Sequence, residues 1–305
     1  MAGLKSIKLK IQSVGKTRKV TRAMEAVSAV KMRKSQEPAL AARPYATAAL
    51  SILERLSGSS DTNTHVLAKH QDGKVAVIVV TSDKGLAGAL NSAAIKRVEQ
   101  TLRDRMLDKT NTILFCIGRR GADYFASRGY EVRDRRENLS DSVSESDMRA
   151  ITDGILKWRA SGEAGDAIII YTNFLSTFEQ KPITRQLLPI SEEMIREMVE
   201  GIAPVKGKYS GARRSARTSA FAYTIEPSAG EVLNTVMPNM LNIAVFHALL
   251  EAKASEHSAR MVAMKNATDK AREVGKELTL EYNKARQAAI TREVSEITSG
   301  IEAMR

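Results

Sequence analysis

A few residues in this chain have the types and spacing that could do chemistry. Gly15-Lys16-Thr17 ends as a phosphate-binding loop ends, with a lysine for phosphate oxygens and a hydroxyl for magnesium. Such a loop needs a glycine five residues earlier and a strand before it, but that position is Lys10 and the surroundings read as helix. Gly85-Leu86-Ala87-Gly88 follows an apolar run and opens a helical pattern, the setting in which a glycine-rich turn cradles a dinucleotide. It lacks the three-glycine spacing, and a tight, closely packed turn accounts for it. His65, His70, His247 and His257 are scattered without metal-ligand spacing or a cysteine partner. Asp83 beside Ser82 has no histidine near it in sequence, so no nucleophile–base constellation stands out. No catalytic residue, cofactor or metal is expected.

The elements that would have to position any site are dominated by the two chain ends. Residues 238–300 read as one helix: Ala252, Ala259, Ala263, Ala267, Ala271, Val274, Leu278, Tyr282, Ala285 and Ala289 recur at helical steps. Opposite charges sit three apart between them, as in Asp269 with Arg272 and Glu281 with Lys284. At 1.5 Å per residue this rod would be roughly 90 Å long, more than any core of this chain could cover. It needs a partner along its length. Residues 2–56 supply one, with Leu4, Ile7, Ile11 and Val14 in step, a phase slip, and resumption at Val20, Met24 and Val27. Pro38 and Pro44 should kink or interrupt this helix. Two such long patterns imply a coiled coil, alanines on its seam allow close approach, and the slips argue against a uniform supercoil.

Three motifs carry a resemblance. Ser13-Val14, residues 20–27 (VTRAMEAV) and 31–34 (KMRK) stand near the start; residues 81–88 (TSDKGLAG) with Asn91 stand in the middle. Residues 256–261 (EHSARM) with Ala263-Met264, and 283–288 (NKARQA) with Ile290-Thr291, stand near the end. Together and in this order they resemble the gamma subunit of F-type ATP synthases, bacterial type, across nearly the whole chain.

Composition is compatible. The 305 residues are 43% hydrophobic but only 5% aromatic, which suits long helices better than one large core. Formal net charge is +12, and ten lysines and arginines in the first 37 residues face only Glu25 and Glu37. A basic helix face serves nucleic acid, an anionic membrane or an acidic protein partner, or is simply solvated. The single cysteine, Cys116, lies in an apolar run and reads as a buried thiol; it excludes an intrachain disulfide and the redox-active cysteine pair of some chloroplast relatives. The longest wholly apolar run, 75–80, is too short to cross a bilayer, and the start has neither signal nor transit character. A soluble or peripheral protein is expected.

Between the ends, 57–73 is rich in Ser, Thr, Gly and Asp and marks a boundary. Strands are expected at 74–82, 112–117 and 167–173, and helices at 87–108, 119–128 and 146–160. This alternation implies a parallel, three-layer α/β unit. Residues 183–190 read as an added edge strand and 191–199 as a short helix. The stretch 204–219 reads as a basic loop, 220–225 as a last strand, and a short helix from Ser228 precedes the long one, with Pro238 in its first turn. The fold expected is thus α/β plus coiled coil: an antiparallel pair of terminal helices with a central three-layer, Rossmann-like domain. Its divisions are 1–57, 74–200, 201–227 and 228–305.

The resemblance implies a non-catalytic rotor shaft, present once per complex. The terminal helices enter the ring of alternating alpha and beta subunits, while the body sits with the epsilon subunit on the membrane c ring. The place implied is the cytoplasmic side of the bacterial plasma membrane, as a peripheral protein. It assigns contacts with alpha and beta subunits to Arg22, Met24, Arg33 and Lys34 at one end, and to Arg286, Gln287 and Thr291 at the other. Ile290, Val294, Ile297 and Ile301 form an apolar stripe at the tip of the last helix, expected to meet an apolar collar. A second class of function, a basic scaffold or nucleic-acid-binding protein, rests on charge alone. It would want aromatic stacking residues, and the first 37 residues contain none.

Overall fold

The computed structural model describes residues 2–41, 65–191 and 228–304, together with Ala48, Met194 and Glu226. Pro44, the first helix beyond residue 41, most of the 191–199 helix, the 204–219 loop and the 220–225 strand lie outside the described residues. The chain divides into two compact units, Met1–Ser28 with Arg260–Arg305, and Ala29–Ala259.

The second unit is built on a five-stranded sheet: β1 (Lys74–Val80), β2 (Thr112–Ile117), β3 (Val132–Arg136), β4 (Ala164–Ser176) and β5 (Glu179–Leu188). Their order is β3-β2-β1-β4-β5. The first four pair in parallel and β5 returns antiparallel along β4, so the sheet is mixed rather than wholly parallel. Two helices, α2 (Leu90–Asp104) and α3 (Arg119–Ser127), cover one face, where Val98, Leu102 and Phe125 meet Val77, Val79, Leu114, Cys116, Ile168 and Ile170. On the other face α4 (Glu145–Ala160) and the first part of α5 (Ala229–Ala303) pack Ile151, Ile155, Leu241, Val245 and Leu249 against Ile78, Phe115, Ile169 and Tyr171. Helices on both faces explain why β1 and β2 read as unbroken apolar runs instead of alternating. Burial pushes the Cys116 thiol up to about 12, which leaves it inert.

Several local expectations need correction. β3 is not expected from VRDRR, where four charged residues follow the single apolar Val132; it is an edge strand, where charge is tolerated and discourages further pairing. α2 starts at Leu90, since the loop before it holds Leu86 and Gly88 at positive φ. Pro238 lies inside α5, which begins at Ala229 without a separate short helix. α1 (Ala2–Ala41) likewise continues past Pro38. A stretch of α5 is long and apolar enough to cross a membrane by composition (mean hydropathy 1.3), but its first part is the core helix just described.

In the first unit α1 and the C-terminal part of α5 pair antiparallel. Thr21 Oγ1 lies 2.7 Å from Thr268 Oγ1, and a Cβ on Gly275 would meet Val14 Cγ1 at 3.8 Å. Seven residues back on one helix match seven forward on the other, and this fixes both direction and register. Along this part of α5 the line Met264, Thr268, Ala271, Gly275, Leu278, Tyr282, Ala285, Ala289 is partly or fully buried, stepping by four and three, with Ala267 and Val274 half-buried beside it. On α1 the partly or fully buried residues include Leu4, Ile7, Ile11, Val14 and Gly15, then Thr21, Met24, Glu25 and Ser28. The heptad line of Ile7, Val14, Thr21 and Ser28 is kept, while exposed Arg18 breaks the line of Leu4, Ile11 and Glu25; of the residues expected to resume the seam Met24 is half-buried, whereas Val20 and Val27 point outward at 58% and 54% exposure. Small hydroxyls suit so close a seam because they bond across it. Thr21→Cys with Thr268→Cys should accordingly cross-link on mild oxidation, with buried Cys116 contributing no background. Cross-links at pairs matched from the two N-termini, and none here, would refute the antiparallel register.

Candidate functional site

The motifs with chemical potential are spent on structure. Gly15-Lys16-Thr17 lies within α1. Residues 81–88 form the loop at the carboxyl end of β1, where open α/β sheets commonly bind ligands. Here the loop is occupied by its own chain. Asp83 accepts from the Arg119 amide at 3.0 Å with one carboxylate oxygen and from the Asn138 amide at 2.9 Å with the other. The Ser82 amide donates to Asn91 Oδ1 at 2.9 Å, and the Gly121 amide donates to Thr81 Oγ1 at 2.9 Å. Gly118 has φ +91°, and a Cβ there would lie 2.1 Å from the Thr81 carbonyl oxygen, so no other residue fits. The cavity beside this loop is ≈ 20 Å³, room for a water molecule and far too small for a nucleotide.

The histidines go to four separate places. His65 accepts from the Leu67 amide, His70 bonds Asp166, His247 lies 3.6 Å from Glu251, and His257 bonds Asp141. Among the described residues no three His, Cys, Asp or Glu side chains are grouped so as to hold a metal ion.

What remains as a functional surface is the outside of the paired helices. The register places Gln287 opposite the first described residue of α1, so α5 continues beyond its partner. On that continuation Ile290, Val294, Ile297 and Ile301 are 53%, 56%, 64% and 59% exposed. The stripe is not a continuation of the seam. Ile290 follows Ala289 by one residue and is thus turned about 100° around the helix, so a longer α1 would not cover it. Arg286 lies one turn before Ile290 on the same line, while Gln287 and Thr291 share the adjacent one; all three are exposed.

At the other end Arg22, Arg33 and Lys34 are exposed and make no ion pair with any described residue, whereas Met24 is half-buried. Arg22 and Arg33 are eleven residues apart, three turns, and share one side of α1. Lys34 lies elsewhere, on the line of Val20 and Val27. Those two valines are the part of the surface that sequence reasoning missed. Their apolar character placed them in the seam, and only the heptad line of Ile7 and Val14, continued to Thr21 and Ser28, would have revealed them as outward-facing.

Comparison with known proteins agrees over the same span. The sequence model of a family described as ATP synthase matches residues 3–304. Relatives called ATP synthase gamma chain, from Pelotomaculum thermopropionicum and Glaesserella parasuis, are 36% and 37% identical over 305 residues, covering 100% of this chain and 100% of each relative. Among solved structures, a chain of the Euglena gracilis mitochondrial ATP synthase OSCP/F1/c-ring assembly superposes with TM-score 0.63 at 17% identity, covering 99% of this chain and 95% of that one. A chain of the Tetrahymena thermophila mitochondrial ATP synthase central stalk/c-ring has TM-score 0.58 and 22% identity, with coverage of 81% and 99%. At these identities the structures speak to fold.

Proposed function

This chain belongs to the ATP synthase gamma-chain family along its whole length, and from that premise we propose how its own residues serve the rotor. The family role is that of the central shaft, without a catalytic site; ATP turns over on the beta subunits of the same complex. The chain is part of the rotor and belongs to the F1 head of a membrane-bound ATP synthase. The finer placement we propose is the cytoplasmic face of a bacterial plasma membrane, one copy per complex, with alpha and beta subunits around the helices and the epsilon subunit and c ring at the body.

The observation that carries this reading is a helix that outruns its partner and ends in an exposed apolar stripe. A helix left alone in water would not hold such a stripe, so an apolar collar from the alpha and beta subunits is its proper surrounding. Exposed Arg22 and Arg33 on α1 are proposed to face acidic surface on the beta subunits, and half-buried Met24 and exposed Val20 and Val27 to supply apolar contact on other sides of the helix. A shaft can change the state of a beta site only through contacts that differ between its conformations. Moving one site from 1:99 to 99:1 takes about 5.5 kcal/mol of differential binding, hence many contacts along a stiff rod. The nucleic-acid reading finds no support: the basic face lacks stacking aromatics, and the relatives named above belong to a rotary complex.

Purification of the native complex, with its subunits identified, tests the assignment directly. Alpha and beta subunits should come down with this chain; salt-labile nucleic acid in their place would overturn it. A finer test replaces Arg33 and Lys34 by Glu. Coupling between proton flow and ATP synthesis in membrane vesicles should fall more than the chain's melting temperature does, and unchanged coupling would remove these residues from the contact surface.

A further inference from the structure

Within the α/β unit, α1 and α5 are gripped by polar contacts concentrated on a few residues. Asp141, on the loop between β3 and α4, uses every acceptor it has toward the two helices. One carboxylate oxygen accepts from His257 Nε2 of α5 at 2.6 Å, and the other from Lys31 Nζ of α1 at 2.8 Å. Its backbone carbonyl accepts from Ser35 Oγ of α1 at 3.0 Å. Ser35 and His257 are buried. Burial alone would raise the Asp141 carboxyl, but hydrogen bonds from Lys31 and His257, and their charges, take it down to about 2, so it is a carboxylate at any physiological pH.

The other side of α5 is held by the β4–β5 hairpin. Ser255 Oγ donates to the Thr172 carbonyl at 2.9 Å, and Ser258 Oγ donates to the Thr177 carbonyl at 2.7 Å. Gln180 Nε2 donates to Ser258 Oγ at 3.4 Å. Residues two apart on a helix differ by about 200° in azimuth, so Ser255 and His257 lie on nearly opposite sides of α5. Apolar side chains packed on a sheet resist separation but let a helix roll with little directional penalty. Directional hydrogen bonds on opposite sides do not.

We propose that Asp141, together with Ser255 and Ser258, is an anti-roll clamp that fixes α1 and α5 against turning about their own axes within the α/β unit. The proposal rests on the rotor reading, since resistance to roll matters where a helix carries torque. Asp141 is the keystone because its side chain bonds to both helices at once. It is a positioning residue and touches no nucleotide.

The test uses the assembled ATP synthase with its head immobilised and a probe attached to the α/β unit at Met106→Cys, a position 88% exposed. Angular fluctuations of the probe report torsional stiffness, which a merely structural defect at unchanged assembly would not alter. Asp141→Ala should widen the angular distribution at least by half again and lower proton pumping against a gradient, with unloaded ATP hydrolysis retained. His257→Gln should widen it as well, and Lys31→Arg, which keeps the charge, should not. An assembled Asp141→Ala complex with wild-type stiffness overturns the clamp; should that variant fail to assemble, Asp141→Asn and Ser255→Ala are read the same way. Hydrogen exchange on the isolated full chain separates this failure from failure of the rotor reading. In Asp141→Ala, amides of 29–36 and 252–259 should exchange faster by about tenfold, the equivalent of about 1.4 kcal/mol of lost protection. If wild-type chain never enters a rotary complex, the rotor reading falls, and unchanged exchange at those amides then overturns the clamp by itself.

Discussion

Arg286→Ala combined with Gln287→Ala should cripple the complex, whereas deleting every residue after Thr298 should leave it largely working. The contrast comes from how each group makes contact. Arg286 and Gln287 are exposed on α5 at the level where α1 begins, and Arg286 pairs with nothing else among the described residues. Its five donors and fixed fork suit a bidentate carboxylate or carbonyl partner. In the proposed collar such a partner would be buried, and removing one side of a buried charged contact costs roughly 2–5 kcal/mol. At the upper end of that range assembly itself fails.

The residues beyond Thr298 contribute one apolar side chain of the stripe, Ile301, and leave Ile290, Val294 and Ile297 in place. Burying one isoleucine is worth about 1.5–3 kcal/mol at most, and a collar that tolerates rotation makes less of it than a fixed pocket would. ATP-driven proton pumping at equal complex content is the measurement. A dead truncation beside a working Arg286, Gln287 double variant would reverse the assignment of grip and bearing.

How much of this was legible in the sequence differs from element to element. The long helices and the strands β1 and β2 were readable because each depends on a local pattern. The tip stripe was readable too, since its four branched apolar residues recur at helical steps. The seam of α1 was readable from Leu4 to Val14 and at Met24, but elsewhere beyond Val14 polarity misled. Thr21, Glu25 and Ser28 occupy positions where a pattern search wants leucine, and Val20 and Val27 drew the reading one residue off. β3 escaped for a related reason: an edge strand between a helix and a loop can be built almost wholly of charge, here held by Arg135 with Asp123 and Arg133 with Glu163. The Asp83 staple and the Asp141 clamp join residues dozens to more than a hundred positions apart. No spacing rule encodes such contacts; only the folded chain brings them together.

The buried pair His247 and Glu251 offers a quantitative test of the interior. Their side chains sit one turn apart on α5, Nδ1 3.6 Å from Oε2, beneath Tyr171 of β4 and beside Arg185 of β5. Burial lowers the imidazole to about 3, with the Arg185 charge adding to it. Burial raises the Glu251 carboxyl to about 7, with Arg185 pulling the other way. The ordinary values are 6.5 and 4.5. Between those two pH values the unfolded chain carries its proton on the imidazole and the folded chain carries it on the carboxyl. Each state holds one proton on the pair, so the pair contributes no slope of stability with pH there. His247→Gln removes one half of the cancellation. The remaining carboxyl has a raised folded pKa, so its contribution is complete below about 4.5 and is lost as pH rises through about 7. Relative to wild type, the variant should therefore lose stability with rising pH at about 1.4 kcal/mol per unit across that window. Glu251→Gln with His247 intact should do the opposite, gaining stability as pH rises toward 6.5, because the unfolded imidazole then holds the extra proton. Urea unfolding of the purified chain at half-unit steps from pH 5 to 6.5 reads both slopes, and unfolding curves for the two variants that run parallel to wild type would mean the proton does not move within this pair.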